Sequence, residues 1–300
     1  MSGSLVTVPA DSKKEIPDGR GTGKESSMKQ DAPIGVFDSG VGGLTVVKEI
    51  MNALPAESIV YYGDTARVPY GNKSAETITA YSRQIAKFLM TQDVKAIVVA
   101  CNTISALALE TIKAEFEVPF IGVVKPGAKM AAKATQNKRI GIIATEGTIS
   151  SGIYEKFLKA TSPEVEVFGK ACPLFVHLAE EGWLNDAVTR QVAERYLAGL
   201  KEKQVDTLVL GCTHYPLLRG VIGEVMGEGV TLVNPAYETA RELIYVLEEA
   251  HLLRNQETVQ TPPAHKFYVS DGAEKFRQFA NTILPCDHLE VEDVAVKCFE

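Results

Sequence analysis

Two stretches of the chain follow one pattern, VKAIVVACNTISAL at residues 94–107 and VDTLVLGCTHYPLL at residues 205–218. Each opens on Val and a charged residue, runs through apolar positions to a small residue, and then sets a cysteine before a polar pair. A short apolar run flanked by polar residues reads as a strand buried on both faces of a parallel sheet. In open α/β sheets, ligands collect just past the carboxyl ends of such strands. Cys101 and Cys212 hold that place in the two copies. The repeat therefore constrains the chain to two similar domains, each ending one strand on a thiol.

The rest of the sequence from Ala32 onward alternates accordingly. IGVFD, SIVYYGD, VPFIGVV, RIGIIAT and VEVFG read as further strands, with helical patterns between them. ETITAYSRQIAKFLM places Ile78, Tyr81, Ile85, Phe88 and Leu89 on one stripe, and AVTRQVAERYLAGL places Val188, Val192, Tyr196 and Leu200 on another. TISALALETIKAEF reads as one helix. Strands alternating with helices imply parallel sheets with helices on both faces. The expected fold class is α/β, with two pseudo-symmetric domains, each a mainly parallel sheet flanked by helices, and an active site in the cleft between them.

Composition excludes some functions. A formal charge of −7, from 31 basic and 38 acidic residues, argues against nucleic acid as a partner, since phosphate neutralisation needs clustered Lys and Arg. No apolar run is long enough for a membrane span, so no membrane role is expected. Residues 1–31 are polar, lack a secretion signal's apolar stretch, and read as a disordered extension. The five cysteines are too sparse for a disulfide framework and form no CxxC, which suits free thiols in a reducing cytoplasm.

Two opposed thiols suit the inversion of a carbon centre. One base removes a proton from one face, and one acid delivers a proton to the other. A free thiol titrates at about 8.5, lowered at helix N-termini, so it can serve as either partner near neutral pH. Each cysteine is expected immediately before a helix, which favours its thiolate. A lone cysteine after a buried strand reads as a small core residue; the matched pair reads as chemistry. A zinc site wants more Cys and His ligands at short spacing, and a redox pair wants CxxC, so both rank lower.

Other polar groups cluster past strand ends. FDSGVGG fails both the dinucleotide and P-loop patterns, yet exposes backbone N–H groups; Asp38 and Ser39 lie at its mouth, with a plain N-cap as Asp38's alternative role. GDTARVPYG offers Arg67 as a carboxylate ligand or a surface charge, and Tyr70 and Gly71 as a hydroxyl and a backbone donor. ACPLFVHLAEEG supplies Glu180 and Glu181, either of which could orient His214 or lie in solvent. His177, His251, His265 and His288 show no partner pattern, and Cys172, Cys286 and Cys298 read as structural or surface thiols.

FDSGVGGLTV, YYGDTARVPYG, ACNTISA, ACPLF…EEG and GCTHYPLL, in that order and spacing, closely resemble the bacterial glutamate racemases. These belong to the cofactor-independent, two-cysteine aspartate/glutamate racemase superfamily. The resemblance runs from about Ile34 to Ser270. It implies a first domain of residues 32–124 completed by 236–300, and a second of 125–235. It implies inversion of glutamate without PLP or metal, Cys101 acting on D-glutamate and Cys212 on L-glutamate. Asp38 and His214 would assist Cys101 and Cys212 respectively, with Glu180 rather than Glu181 supporting His214. Substrate contacts would come from Asp38, Ser39, Tyr70, Gly71, Asn102, Thr103, Thr213 and His214. A cytoplasmic supply of D-glutamate for peptidoglycan, a homodimer, and a cell-wall-precursor effector are further implications. Aspartate or hydantoin racemases and maleate isomerases share the two-cysteine layout; a non-catalytic amino-acid-binding protein and a redox switch are remoter alternatives.

Overall fold

The computed structural model describes residues 29–255, 262–285, 289–296 and 299. Most of the expected extension 1–31 lies outside the described residues, as do Cys286, His288 and Cys298. Among the described residues the strands are β1 (Ile34–Asp38), β2 (Ile59–Gly63), β3 (Ala96–Val99), β4 (Phe120–Gly122), β5 (Arg139–Ala144), β6 (Glu166–Ala171), β7 (Thr207–Gly211), β8 (Thr231–Val233), β9 (His265–Val269) and β10 (Val291–Asp293). They form a six-stranded sheet ordered β10-β9-β2-β1-β3-β4 and a four-stranded sheet ordered β6-β5-β7-β8. Every pairing is parallel. The larger sheet thus takes strands from both ends of the chain.

Side chains alternate across a strand, so an all-apolar strand serves two cores at once. In β1, Ile34 and Val36 enter one cluster while Phe37 enters the other. In β7, Leu208 and Leu210 face one cluster and Val209 the opposite one. The helix Ala75–Met90 begins at Ser74, whose hydroxyl accepts the Thr77 N–H at 3.3 Å. It buries Ile78, Ser82, Ile85, Phe88 and Leu89, whereas Tyr81 is only half-buried, under the Arg67 guanidinium.

Two helices depart from the sequence reading. Helix Ala187–Glu202 buries Thr189, Ala193, Leu197 and Leu200, a face rotated from the expected one, and leaves Val188 46% exposed. The small Ala193 and Thr189 allow close packing, and the Thr189 hydroxyl donates to the Trp183 carbonyl at 2.6 Å, so its burial leaves no polar group unpaired. The expected single helix after Cys101 is two, Asn102–Leu107 and Leu109–Lys113, bent at Ala108. Ser105 Oγ donates to the Val99 carbonyl and accepts from the Val123 N–H, which ties the first piece to the sheet edge. The bend keeps Ile104, Ala108 and Ile112 in one core.

Parallel register decides which residues emerge together at the carboxyl edges. Phe37 pairs with Val99, so Ser39 and Cys101, each two residues further on, leave the large sheet side by side. Ala144 pairs with Gly211, so Thr145 and Cys212 leave the small sheet side by side. No helix among the described residues is long and apolar enough to cross a membrane.

Candidate active site

The two carboxyl edges face one cavity. Cys101, Asn102 and Thr103 wall it from the large sheet, and Cys212, Thr213 and His214 from the small one. Both cysteines are buried, at 6% and 7% exposure, which suits thiols reached only through that cavity. Ser39, Tyr70, Gly71 and Glu180 complete its polar lining.

The domains meet tightly here. A Cβ on Gly42 would lie 2.3 Å from Thr213 Oγ1 and 2.6 Å from His214 Nδ1, so only glycine lets the first turn reach the second domain. Thr45 Oγ1 donates to the Thr213 carbonyl at 2.9 Å, pinning the start of helix Leu44–Ala53 to the cysteine loop. Across the cavity, the Gly147 N–H donates to the Gly71 carbonyl at 2.9 Å, and the hydroxyls of Thr103 and Thr145 lie 2.9 Å apart.

The two thiols sit in opposite electrostatic surroundings. Cys101 Sγ lies 3.5 Å from Ser39 Oγ. Burial pushes its thiol up to about 12, and the nearby Asp38 carboxylate adds to this against the Ile104 N–H and Ser39 hydroxyl. The thiolate expected from a helix N-terminus is therefore not what Cys101 has. Its helix is six residues long, too short a dipole to offset burial beside an anion. Asp38 is fully buried behind the cavity wall. Its Oδ2 accepts the Gly40 N–H at 3.0 Å and its Oδ1 lies 3.5 Å from Thr213 Oγ1. Burial raises its carboxyl, while His214 and the N–H groups of the Gly-rich turn oppose the rise.

Cys212 faces a cation instead. Its Sγ lies 3.8 Å from His214 Nδ1, and His214 Nε2 lies 3.0 Å from Glu180 Oε1. Burial disfavours the imidazolium, but the partners Cys212 and Glu180 outweigh it and carry His214 up to about 10. Burial likewise works against the Glu180 carboxylate, and the His214 contact overcomes it, so Glu180 titrates below its ordinary range. The two shifts describe one ion pair. Cys212 precedes a 3₁₀ turn, Tyr215–Leu218, rather than an α-helix, so its cationic neighbour is the imidazole.

The His214 charge has a measurable consequence. The group is charged below about pH 10 and loses its proton above it. Turnover of the substrate enantiomer deprotonated by Cys212 should fall as pH rises through that value. Glu180→Gln removes an anion that raises His214, so the alkaline limb of kcat/KM should move toward neutrality. A pH profile with an unmoved limb would detach Glu180 from the site's proton chemistry.

Some sequence candidates hold other duties. The Tyr70 hydroxyl donates to Asp64 Oδ2, so the ring lines the cavity while its proton is committed elsewhere. Arg67 bonds Asp64 and Gln84 and stacks on Tyr81, making it structural. Cys172 is buried in the small sheet's core, and His177 is an exposed residue at the cavity rim, near Glu180. Thr145, a cavity residue the sequence reading passed over, follows the RIGIIA strand, where the same strand-end rule would have found it. Among the described residues, no group of three or more His, Cys, Asp or Glu could hold a metal ion.

The family model for Asp/Glu/hydantoin racemases matches residues 34–243, a span holding both cysteine loops. The chain belongs to the Asp/Glu/hydantoin racemase family. This racemase is 55% identical to the glutamate racemase of Geobacter metallireducens over 251 residues, covering 84% of this chain and 92% of that protein. Among solved structures, glutamate racemase isoform RacE1 from Bacillus anthracis superposes with a TM-score of 0.84 at 39% identity, covering 88% of this chain and 98% of that one. Escherichia coli glutamate racemase, solved with L-glutamate and the activator UDP-MurNAc-Ala, superposes at 0.73 and 31% identity over 87% of this chain and 98% of that one. The racemase fold of two helix-flanked parallel sheets is common to them, and the enzyme is an isomerase.

Proposed function

We propose that this enzyme interconverts L- and D-glutamate, using Cys101 and Cys212 as the two opposed acid–base groups. The observation that carries the reading is the placement of both thiols on one cavity, each at the carboxyl edge of a different sheet. With L-glutamate bound, the Cys212 thiolate, paired with the His214 imidazolium, takes the α-proton. The electron pair of the broken C–H bond stays on the α-carbon. The Cys101 thiol, kept protonated by burial beside Asp38, then delivers its proton to the opposite face. Cys212 ends as a thiol and Cys101 as a thiolate, which is the arrangement needed for the reverse direction.

Developing charge on the carbanion needs preorganised donors, the usual largest contribution to such catalysis. The Gly71 N–H donates to no protein atom among the described residues, and Thr103 and Thr213 add hydroxyls to the wall. Asp38 serves Cys101 from behind the wall rather than gripping the substrate ammonium, because its carboxylate is enclosed. Residues 32–124 with 236–300 form one domain and 125–235 the other, so closure of the domains closes the site. A cytoplasmic homodimer feeding peptidoglycan synthesis, with a cell-wall-precursor effector, completes the reading; the activator-bound Escherichia coli relative supports the last element.

Purified protein incubated with L-glutamate in D₂O should yield D-glutamate carrying deuterium at the α-carbon. Aspartate and hydantoins in the same assay should turn over far more slowly. A folded protein showing neither inversion nor α-exchange would falsify the assignment, and faster turnover of aspartate would transfer it to a sibling activity.

A further inference from the structure

Tyr154 lies in the first turn of the helix Ile153–Thr161 in the small-sheet half and is 3% exposed. Its hydroxyl donates to Asn102 Oδ1 at 2.6 Å, and Asn102 is the residue after Cys101. Its ring edge lies over Gly211, the residue before Cys212; a Cβ there would stand 3.3 Å from Tyr154 Cε2. One side chain therefore touches the flanks of both cysteines, from opposite halves of the molecule. Nothing in the two-thiol chemistry requires a tyrosine at this point, and Tyr154 is not among the residues lining the cavity of the two thiols.

We infer that Tyr154 is a positioning residue for racemisation: it fixes the Asn102 amide so that Nδ2–H₂ faces the substrate, and does so only when the two halves are closed. The inference deepens the proposed glutamate chemistry and rests on it. A primary amide has one acceptor end and one donor end, and a neighbouring hydrogen bond decides which way it points. Here the phenol occupies Oδ1. Nδ2 donates to no protein atom among the described residues, and Asn102 lines the cavity. If the amide were turned over, the phenol proton would have no acceptor and an oxygen would face a substrate carrying two carboxylates. Both changes are unfavourable, so the present orientation is strongly selected. Burial, with Cys212 adding, holds the phenol well above its ordinary titration range, so it stays a donor at any working pH.

Removing the hydroxyl alone separates this role from packing. Tyr154→Phe keeps the ring against Gly211 and frees the Asn102 amide to rotate. A neutral hydrogen bond of this kind corresponds to about a three- to ten-fold effect. KM for both glutamate enantiomers should rise by that factor, kcat should change less, and the thermal midpoint should stay within about two degrees of wild type. In an Asn102→Ala background, with D-glutamate binding followed by calorimetry, the same substitution should have no further effect, because the group it positions is gone. Wild-type KM in Tyr154→Phe overturns the inference, as does an equal affinity loss in both backgrounds or a lowered midpoint with KM unchanged. Wild-type protein that does not racemise glutamate at all would instead count against the proposed function.

Discussion

Replacing either thiol by a hydroxyl, Cys101→Ser or Cys212→Ser, is expected to lower racemisation about 10³-fold or more. A positioned acid or base contributes on the order of 10² to 10⁴, and serine's hydroxyl is too weak an acid to hold the charge that a thiolate holds. The two volumes are nearly equal and both sites are buried, so the fold should survive. At about 1.36 kcal/mol per decade, the loss corresponds to roughly 4 kcal/mol of transition-state stabilisation. The variants should also differ from each other in D₂O. With Cys212 intact, Cys101→Ser should still wash deuterium into L-glutamate without inverting it; with Cys101 intact, Cys212→Ser should do the same for D-glutamate. A folded variant keeping a tenth of wild-type turnover would remove that cysteine from the mechanism. Exchange into the other enantiomer would swap their faces.

The second large effect is expected from one methyl group. In Gly42→Ala the new Cβ would fall 2.3 Å from Thr213 Oγ1 and 2.6 Å from His214 Cε1, both too close for any real contact. Neither neighbour is a loose chain end: His214 is held by Glu180 and Thr213 by Asp38 and Thr45. Either the imidazole leaves Cys212 or the two halves move apart, and a displacement of about 1 Å at reacting groups can cost about 10²-fold. We expect kcat/KM to fall by at least that factor, with an overpacking cost of about 1–3 kcal/mol in stability. Gly199→Ala is the matching control. It lies exposed within helix Ala187–Glu202 with nothing within 4 Å of its added Cβ. It should leave activity intact and raise stability by about 0.5–1 kcal/mol. Near-wild-type kinetics in Gly42→Ala would mean that the domain contact at Thr213 and His214 does not set the site's geometry.

What was legible in the sequence was local. A buried parallel strand needs an uninterrupted apolar run, and the polar residues that end it announce themselves, so FDS, ACNT and GCTHY stand out without any knowledge of packing. The twin cysteines, their polar companions and the α/β class follow from those runs. Helix faces were less secure where apolar residues flank the stripe on both sides. In Ala187–Glu202 the burial of Thr189 depended on an acceptor at Trp183, several residues upstream.

The electrostatic character of each thiol was decided only by tertiary structure. By sequence the two cysteines are equivalent, each a strand end before a presumed helix. In the folded protein one stands beside a buried carboxylate and the other beside an imidazole held by Glu180, a residue 34 positions away. Charge interactions depend on distance and burial, and neither is written in residue order. The same holds for Asp38, which strand-end logic puts at the cavity mouth and the close approach of the Gly-rich turn encloses, and for Tyr154, whose partner Asn102 lies in the other half. Local hydrophobic pattern thus determined the strands and their chemical endings. Register and domain closure, which pack those endings together out of water, determined which of them act on one another.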